Sequence, residues 1–215
     1  MVKGNNMEYT KFTNEQLMNL LEAQEQLNIQ YTGNEWAIKV PTDSFLVALQ
    51  TEVSEYLESA PRLDNWKWWK KNLENDTQNM VIETIDVLHF SLSLLIKLFQ
   101  KDEIIYCNEY CNKNTYNSTV SGINNSLGKI LTMNLNITDD TPDFNYMSYC
   151  NTLLGYIYDL INTLAYGCDR TLNEIYKGYF KKNKLNSERI EGGYMEGNYT
   201  KIDETGQEDN RKLDV

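Results

Sequence analysis

Apolar residues recur every three or four positions through most of this chain, a period that predicts helices. Leu17, Leu20, Leu21 and Leu27 share one face of a helix expected from Thr13 to about Gln30, opened by the capping-type run Thr13-Asn14-Glu15-Gln16. A second helix is expected from near Pro41, a favourable first-turn residue, to about Ala60, where Pro61 stops it. The third spans roughly 76–100, with Val81, Ile85, Leu88, Leu92, Leu95 and Phe99 as its stripe. From 101 to 145 the composition shifts to Asn, Thr, Ser and Tyr, with only a weak helical run over 123–133, so this part reads as an inserted subdomain. Periodicity returns over 146–166, and again after the capping-box run Thr171-Leu172-Asn173-Glu174 to about Leu185. The remainder, 186–215, is polar and aperiodic. Its glycines at 192, 193, 197 and 206 suit a tail that wraps rather than packs. With only three prolines, the chain is expected to be all-α: a helical bundle with a peripheral insertion and a mobile C-terminal tail. Its core is expected over 1–100 and 146–215, with the inserted subdomain over 101–145.

A net charge of -11 argues against a phosphate-backbone footprint, so nucleic acid is not an expected partner. The N-terminus lacks the apolar core of a signal peptide, and no stretch approaches eighteen uninterrupted apolar residues. The protein therefore reads as cytoplasmic, with no membrane partner. Cys107, Cys111, Cys150 and Cys168 form no CxxC pair, which disfavours a zinc site or a disulfide frame. An acidic protein still binds a polyphosphate when divalent cations bring the positive charge. That turns attention to paired carboxylates.

Glu52 and Glu55 lie three residues apart and share a helix face; Glu83 and Asp86 repeat the spacing in the next long helix. Glu52 continues a stripe of Phe45, Leu49 and Tyr56, and Glu83 sits among Met80, Val87 and Phe90, so these acids are expected to be semi-buried. Ionised carboxylates buried on facing helices repel one another and cost several kcal/mol each unless a countercharge is present. A divalent cation relieves both costs, and hard oxygen ligands favour Mg2+, with Mn2+ as the alternative. The same spacing also arises on solvated helix faces, so spacing by itself leaves a plain surface reading open. His89, the only histidine, stands one turn from this pair and is expected to pack the helix or support the metal ligands from behind.

Glu52-x-x-Glu55 followed by Glu83-x-x-Asp86 resembles the metal-binding signature of the all-α NTP pyrophosphatase superfamily, which includes MazG-like enzymes and dimeric dUTPases. Gln24-Glu25-Gln26-Leu27-Asn28 is similar to the dUTPase Gln-x-x-Leu-Asn motif. Trp66-Lys67-Trp68-Trp69-Lys70-Lys71 resembles the Trp-rich segment between the metal helices. Lys182-Asn183-Lys184-Leu185-Asn186-Ser187-Glu188-Arg189 resembles the Lys-Asn-x-Leu-Asn-x-x-Arg motif, and Gly193-Tyr194 and 206–210 extend the match.

The resemblance implies a homodimeric dUTPase of phage type that hydrolyses dUTP, and dUDP as a further substrate, to dUMP. The reaction would proceed by attack of a metal-activated water on the α-phosphate. It implies Mg2+ held by Glu52, Glu55, Glu83 and Asp86. Thr51 stands where many relatives carry a second acid, which leaves Glu52 as the catalytic base. Asn28, oriented by Gln24, would read uracil, with Trp36 or Trp66 stacking on the base. Lys182, Asn186, Arg189, Tyr194, Lys201 and Asn210 would bind phosphate on a mobile segment, and Lys67 and Lys70 either reach phosphates or solvate a turn. The rival within the superfamily is a MazG-like pyrophosphatase of different or broader specificity. Phage dUTPases resembling this chain carry an insertion between their motifs, and some of that group bind repressors, so 101–145, with Tyr106, Tyr110 and Tyr116, is also a candidate docking module.

Overall fold

Side-chain capping sets where several helices begin. Thr13 and Gln16 exchange side-chain and backbone hydrogen bonds, Thr171 and Glu174 repeat the reciprocal pair, and the Asp76 carboxylate accepts from the Asn79 amide. The computed structural model describes residues 10–111, 120–133 and 145–215. Among these, the helices are α1 (Asn14–Thr32), α2 (Trp36–Lys39), α3 (Thr42–Ser59), α4 (Thr77–Leu98), α5 (Lys101–Tyr110), α6 (Val120–Thr132), α7 (Tyr146–Gly167) and α8 (Leu172–Glu191), with no strand beyond one isolated bridge. The chain is an all-α bundle, as its apolar period predicts. None of the described helices is long and apolar enough to cross a membrane.

Four expected helices, 13–30, 41–60, 76–100 and 146–166, coincide with α1, α3, α4 and α7 to within two residues at each end. Two regions differ. Helix α5 stands where the periodicity fades: Gln100 and Glu103 cap it reciprocally, and only Ile104, Cys107 and Asn108 face inward along it, a stripe too short to stand out among polar neighbours. Helix α8 continues past the expected end near Leu185 as far as Glu191. Its last turns are held because Arg189 is buried against Asp209.

The described parts of 101–145 share the main core, with Ile104, Ile123 and Ile130 fully buried in the same cluster as the long helices. Tyr106 and Tyr110 are exposed on α5, and Tyr116 lies outside the described residues.

Helix α4 is the axis of the bundle, packing against α1, α3, α7 and α8. From Met80 to Leu95 nearly every side chain is buried, as expected of a helix covered on all sides. The two exceptions in that stretch, Asp86 and Phe90, both line the cleft described below. Gly178 brings α8 close: a Cβ there would stand 2.7 Å from Ile85 Cδ1. Lys182, one turn further along α8, is thereby set beside Asp86, one residue beyond Ile85.

The tail folds back onto the start of α4. Gln78 Nε2 donates to the Arg211 and Leu213 carbonyls at 2.9 and 3.2 Å, and Arg211 pairs with Asp76 at 2.7 Å.

Candidate active site

The facing turns of α3 and α4 gather three carboxylates. Glu52, Glu55 and Glu83 each offer an oxygen within 4.8 Å of the others. Glu83 is buried and is steadied by Asn79, whose amide donates to Glu83 Oε1 at 2.8 Å and to Ser59 Oγ at 2.7 Å. Glu52 is half-buried. Glu55 is exposed rather than semi-buried, because it lies at the solvent edge of α3 instead of continuing the Phe45–Leu49–Tyr56 stripe. Asp86 points into the same cleft, but its Oδ2 accepts from Lys182 Nζ at 2.8 Å.

Burial first, then the charges of Asp86, Glu83 and Glu55, push the Glu52 carboxyl up to about 8. Burial, then Asp86 and Glu55, push Glu83 up to about 7. Such a site has an excess of negative charge, and its hard oxygen donors fit a divalent cation.

The sign of the linkage follows. Both folded-state pKa values lie above the ordinary 4.5, so the folded form binds protons more tightly than the unfolded chain, and stability is lost as pH rises from 4.5 toward 8. Thermal unfolding in a chelator should therefore show Tm falling by roughly 5 °C between about pH 5 and about pH 8.5, and Mg2+ should flatten the fall. A Tm that climbs across that interval would show the cluster to be free of charge repulsion.

At the other wall a buried polar network joins three helices. Gln24 Nε2 donates to Asn28 Oδ1 at 2.9 Å, and Ser93 Oγ donates to the same oxygen at 3.1 Å. Gln24 Oε1 accepts from Tyr179 OH at 2.9 Å and meets His89 Nδ1 at 2.7 Å. Because that oxygen can only accept, Nδ1 carries the ring hydrogen and His89 Nε2 is left as an acceptor. The imidazole stacks on Tyr179 with centroids 4.3 Å apart, and burial followed by the Lys182 charge lowers its pKa to about 3, so the ring is neutral. Two buried atoms of this network, Asn28 Nδ2 and His89 Nε2, have no hydrogen-bond partner, and both residues line the cleft. One is a donor and the other an acceptor.

The cleft has a volume of about 520 Å³ and brings together most of the expected site residues: Gln24, Asn28 and Trp36 at one end, the four acids in the middle, and Lys182, Asn186, Arg189, Tyr194, Lys201 and Asn210 along the α8 and tail side. Lys182, Asn186 and Arg189 project from one face of α8 rather than from a mobile segment, and Lys182 and Arg189 are among the most buried polar side chains. Trp66, Lys67 and Lys70 stand apart from it. The Trp66 indole donates to the Ala60 carbonyl at 3.0 Å, Lys67 is buried against Glu58 and over the Trp66 ring, and Lys67 and Lys70 line a separate surface hollow beside Pro61. Trp66 and Lys67 brace the turn after α3, and none of the three lines the cleft.

Tyr31, Phe45, Phe90 and Ser93 also line the cleft, none of them among the expected site residues. Helical spacing was the available signal: Tyr31 follows Asn28 by three residues, Phe90 follows Asp86 by four, and Ser93 follows His89 by four. His89 itself has a sharper place than packing, since it presents an unpartnered acceptor.

The cleft of this all-α bundle thus joins clustered carboxylates to buried cations and to an unpartnered donor and acceptor. Residues 16–194 match the family described as dUTPase, and the chain belongs to that family. Its activity is accordingly that of a hydrolase acting on dUTP. A comparison with curated proteins finds no match.

Proposed function

We propose that the chain splits dUTP, and dUDP as a further substrate, to dUMP through attack of water on the α-phosphorus. The observation that carries this reading is that one cleft holds the carboxylate cluster and, beside it, an unpartnered buried donor and acceptor. Glu52, Glu55, Glu83 and Asp86 would hold Mg2+ or Mn2+. When bound, such ions neutralise triphosphate charge and lower the pKa of a nearby water.

The protein's own groups account for the rest. Glu52, half-buried beside Glu55 and Glu83, takes the proton of the attacking water. Lys182, Asn186 and Arg189 from α8, with Tyr194, Lys201 and Asn210 from the tail, receive the phosphate oxygens. Uracil presents a carbonyl oxygen next to an N3–H. Asn28 Nδ2 donates to the carbonyl and His89 Nε2 accepts from N3–H, which satisfies both orphaned atoms. Cytosine offers a donor and an acceptor in those places and meets each atom with its like. Trp36, set edge-on to Phe45 at 6.2 Å, and Phe90 supply the apolar walls. Exposed Ile38, Val47, Trp68 and Trp69 give a homodimer apolar surface to cover.

A substrate panel checks this reading. Pyrophosphate release from dUTP should require Mg2+ and exceed that from dCTP by at least about 10²-fold, and the active species should sediment at twice the mass of one chain. Equal turnover of dUTP, dCTP and dTTP would instead indicate a broad NTP pyrophosphatase.

A further inference from the structure

Asp86 differs from the other three acids in what it touches. Glu52, Glu55 and Glu83 form one cluster of oxygens, whereas Asp86 gives its Oδ2 to Lys182 Nζ at 2.8 Å. Lys182 has a side chain only 3 % exposed, and its second contact is Asn210 Oδ1 at 3.0 Å. A buried ammonium in this position supplies the countercharge that the acid needs. The close approach of α8 to α4 at Gly178 fixes the helix that carries it, while the four-carbon stem leaves the ammonium free to swing.

A cation at hydrogen-bond distance from a carboxylate and a divalent ion bound to that carboxylate repel each other across a few ångströms. Each weakens the hold of the other on Asp86. We propose that Lys182 is the resident cation of the metal-free site, neutralising Asp86 in place of a metal ion and withdrawing toward the substrate phosphates when ions bind. The proposal rests on the reading of the four acids as metal ligands. Metal loading is thereby coupled to the tail. Asn210 bridges Lys182 and Arg189, accepting from Arg189 Nη2 at 2.7 Å, so departure of the ammonium removes one of the two cations that hold this tail residue.

The test is Mn2+ affinity without nucleotide, measured by calorimetry on the full chain. Lys182→Met keeps most of the stem and removes the competing charge, so Mn2+ should bind about tenfold more tightly; Lys182→Arg keeps the charge and should bind as the native protein does. Equal or weaker binding by a folded Lys182→Met, with native binding present, overturns the proposal alone. No Mn2+ binding by the native protein or either variant overturns the four-acid site and the proposal with it.

A second measurement needs no variant. Acetylation of Lys182 by an amine-reactive ester, followed by mass spectrometry, should rise severalfold when Mg2+ is added to the native chain. Unchanged or reduced labelling of Lys182 in a chain shown to bind Mg2+ overturns the proposal, whether or not Lys182→Met folds.

Discussion

Glu52→Gln should lower kcat for dUTP by about 10³-fold or more while leaving the helical fold intact. The substitution is nearly isosteric, so the packing of α3 on α4 is preserved. What changes is charge: the amide neither accepts the proton of the attacking water nor offers an anionic oxygen to a metal ion. Glu52 is the acid most strongly affected by its neighbours, pushed up to about 8 by burial and by Asp86, Glu83 and Glu55. Removing its charge relieves repulsion in the metal-free protein, so Tm in chelator near pH 8 should rise as turnover collapses. That opposite movement separates a functional loss from misfolding. Turnover within tenfold of native, measured as pyrophosphate release under saturating Mg2+ and dUTP, would remove Glu52 from the reaction.

Asn28→Asp should reduce kcat/KM for dUTP by about 10³-fold and spare dCTP by comparison. The carboxylate keeps the oxygen that accepts from Gln24 and Ser93, so the network around it stands. The other atom changes from a donor to an acceptor, which repels a uracil carbonyl and attracts the exocyclic amine of cytosine. The readout is the dUTP to dCTP ratio of kcat/KM, which should fall by at least about tenfold. An unchanged ratio would place the base elsewhere in the cleft.

The four long helices, and the two acid pairs on α3 and α4, were legible in the sequence because they depend on local period and capping. The convergence of Glu52, Glu55 and Glu83 follows once those two helices pack side by side. Other features depend on partners far away in sequence. His89 and Tyr179 meet at Gln24 across separations of 65 and 155 residues, and nothing local to any of the three announces the contact. Lys182 and Arg189 are expected on a mobile phosphate-binding segment, yet both are buried on α8, each paired with an acid from another segment, Asp86 or Asp209. Trp66, Lys67 and Lys70 lie between the acid pairs in sequence, but the turn after α3 carries them to the outside of the bundle. Helix α5 is weakly marked because only Ile104, Cys107 and Asn108 along it face the core.

The burial of His89 separates how the two ends of the cleft respond to acidity. Its ring remains uncharged until about pH 3, and Asn28 has no charge to gain. Glu83, six residues before His89 on α4, and Glu52, facing from α3, take up protons nearer neutral pH in the metal-free chain. Across mild acid the charge of the metal-free carboxylate cluster therefore changes, while that of the Asn28–His89 end does not.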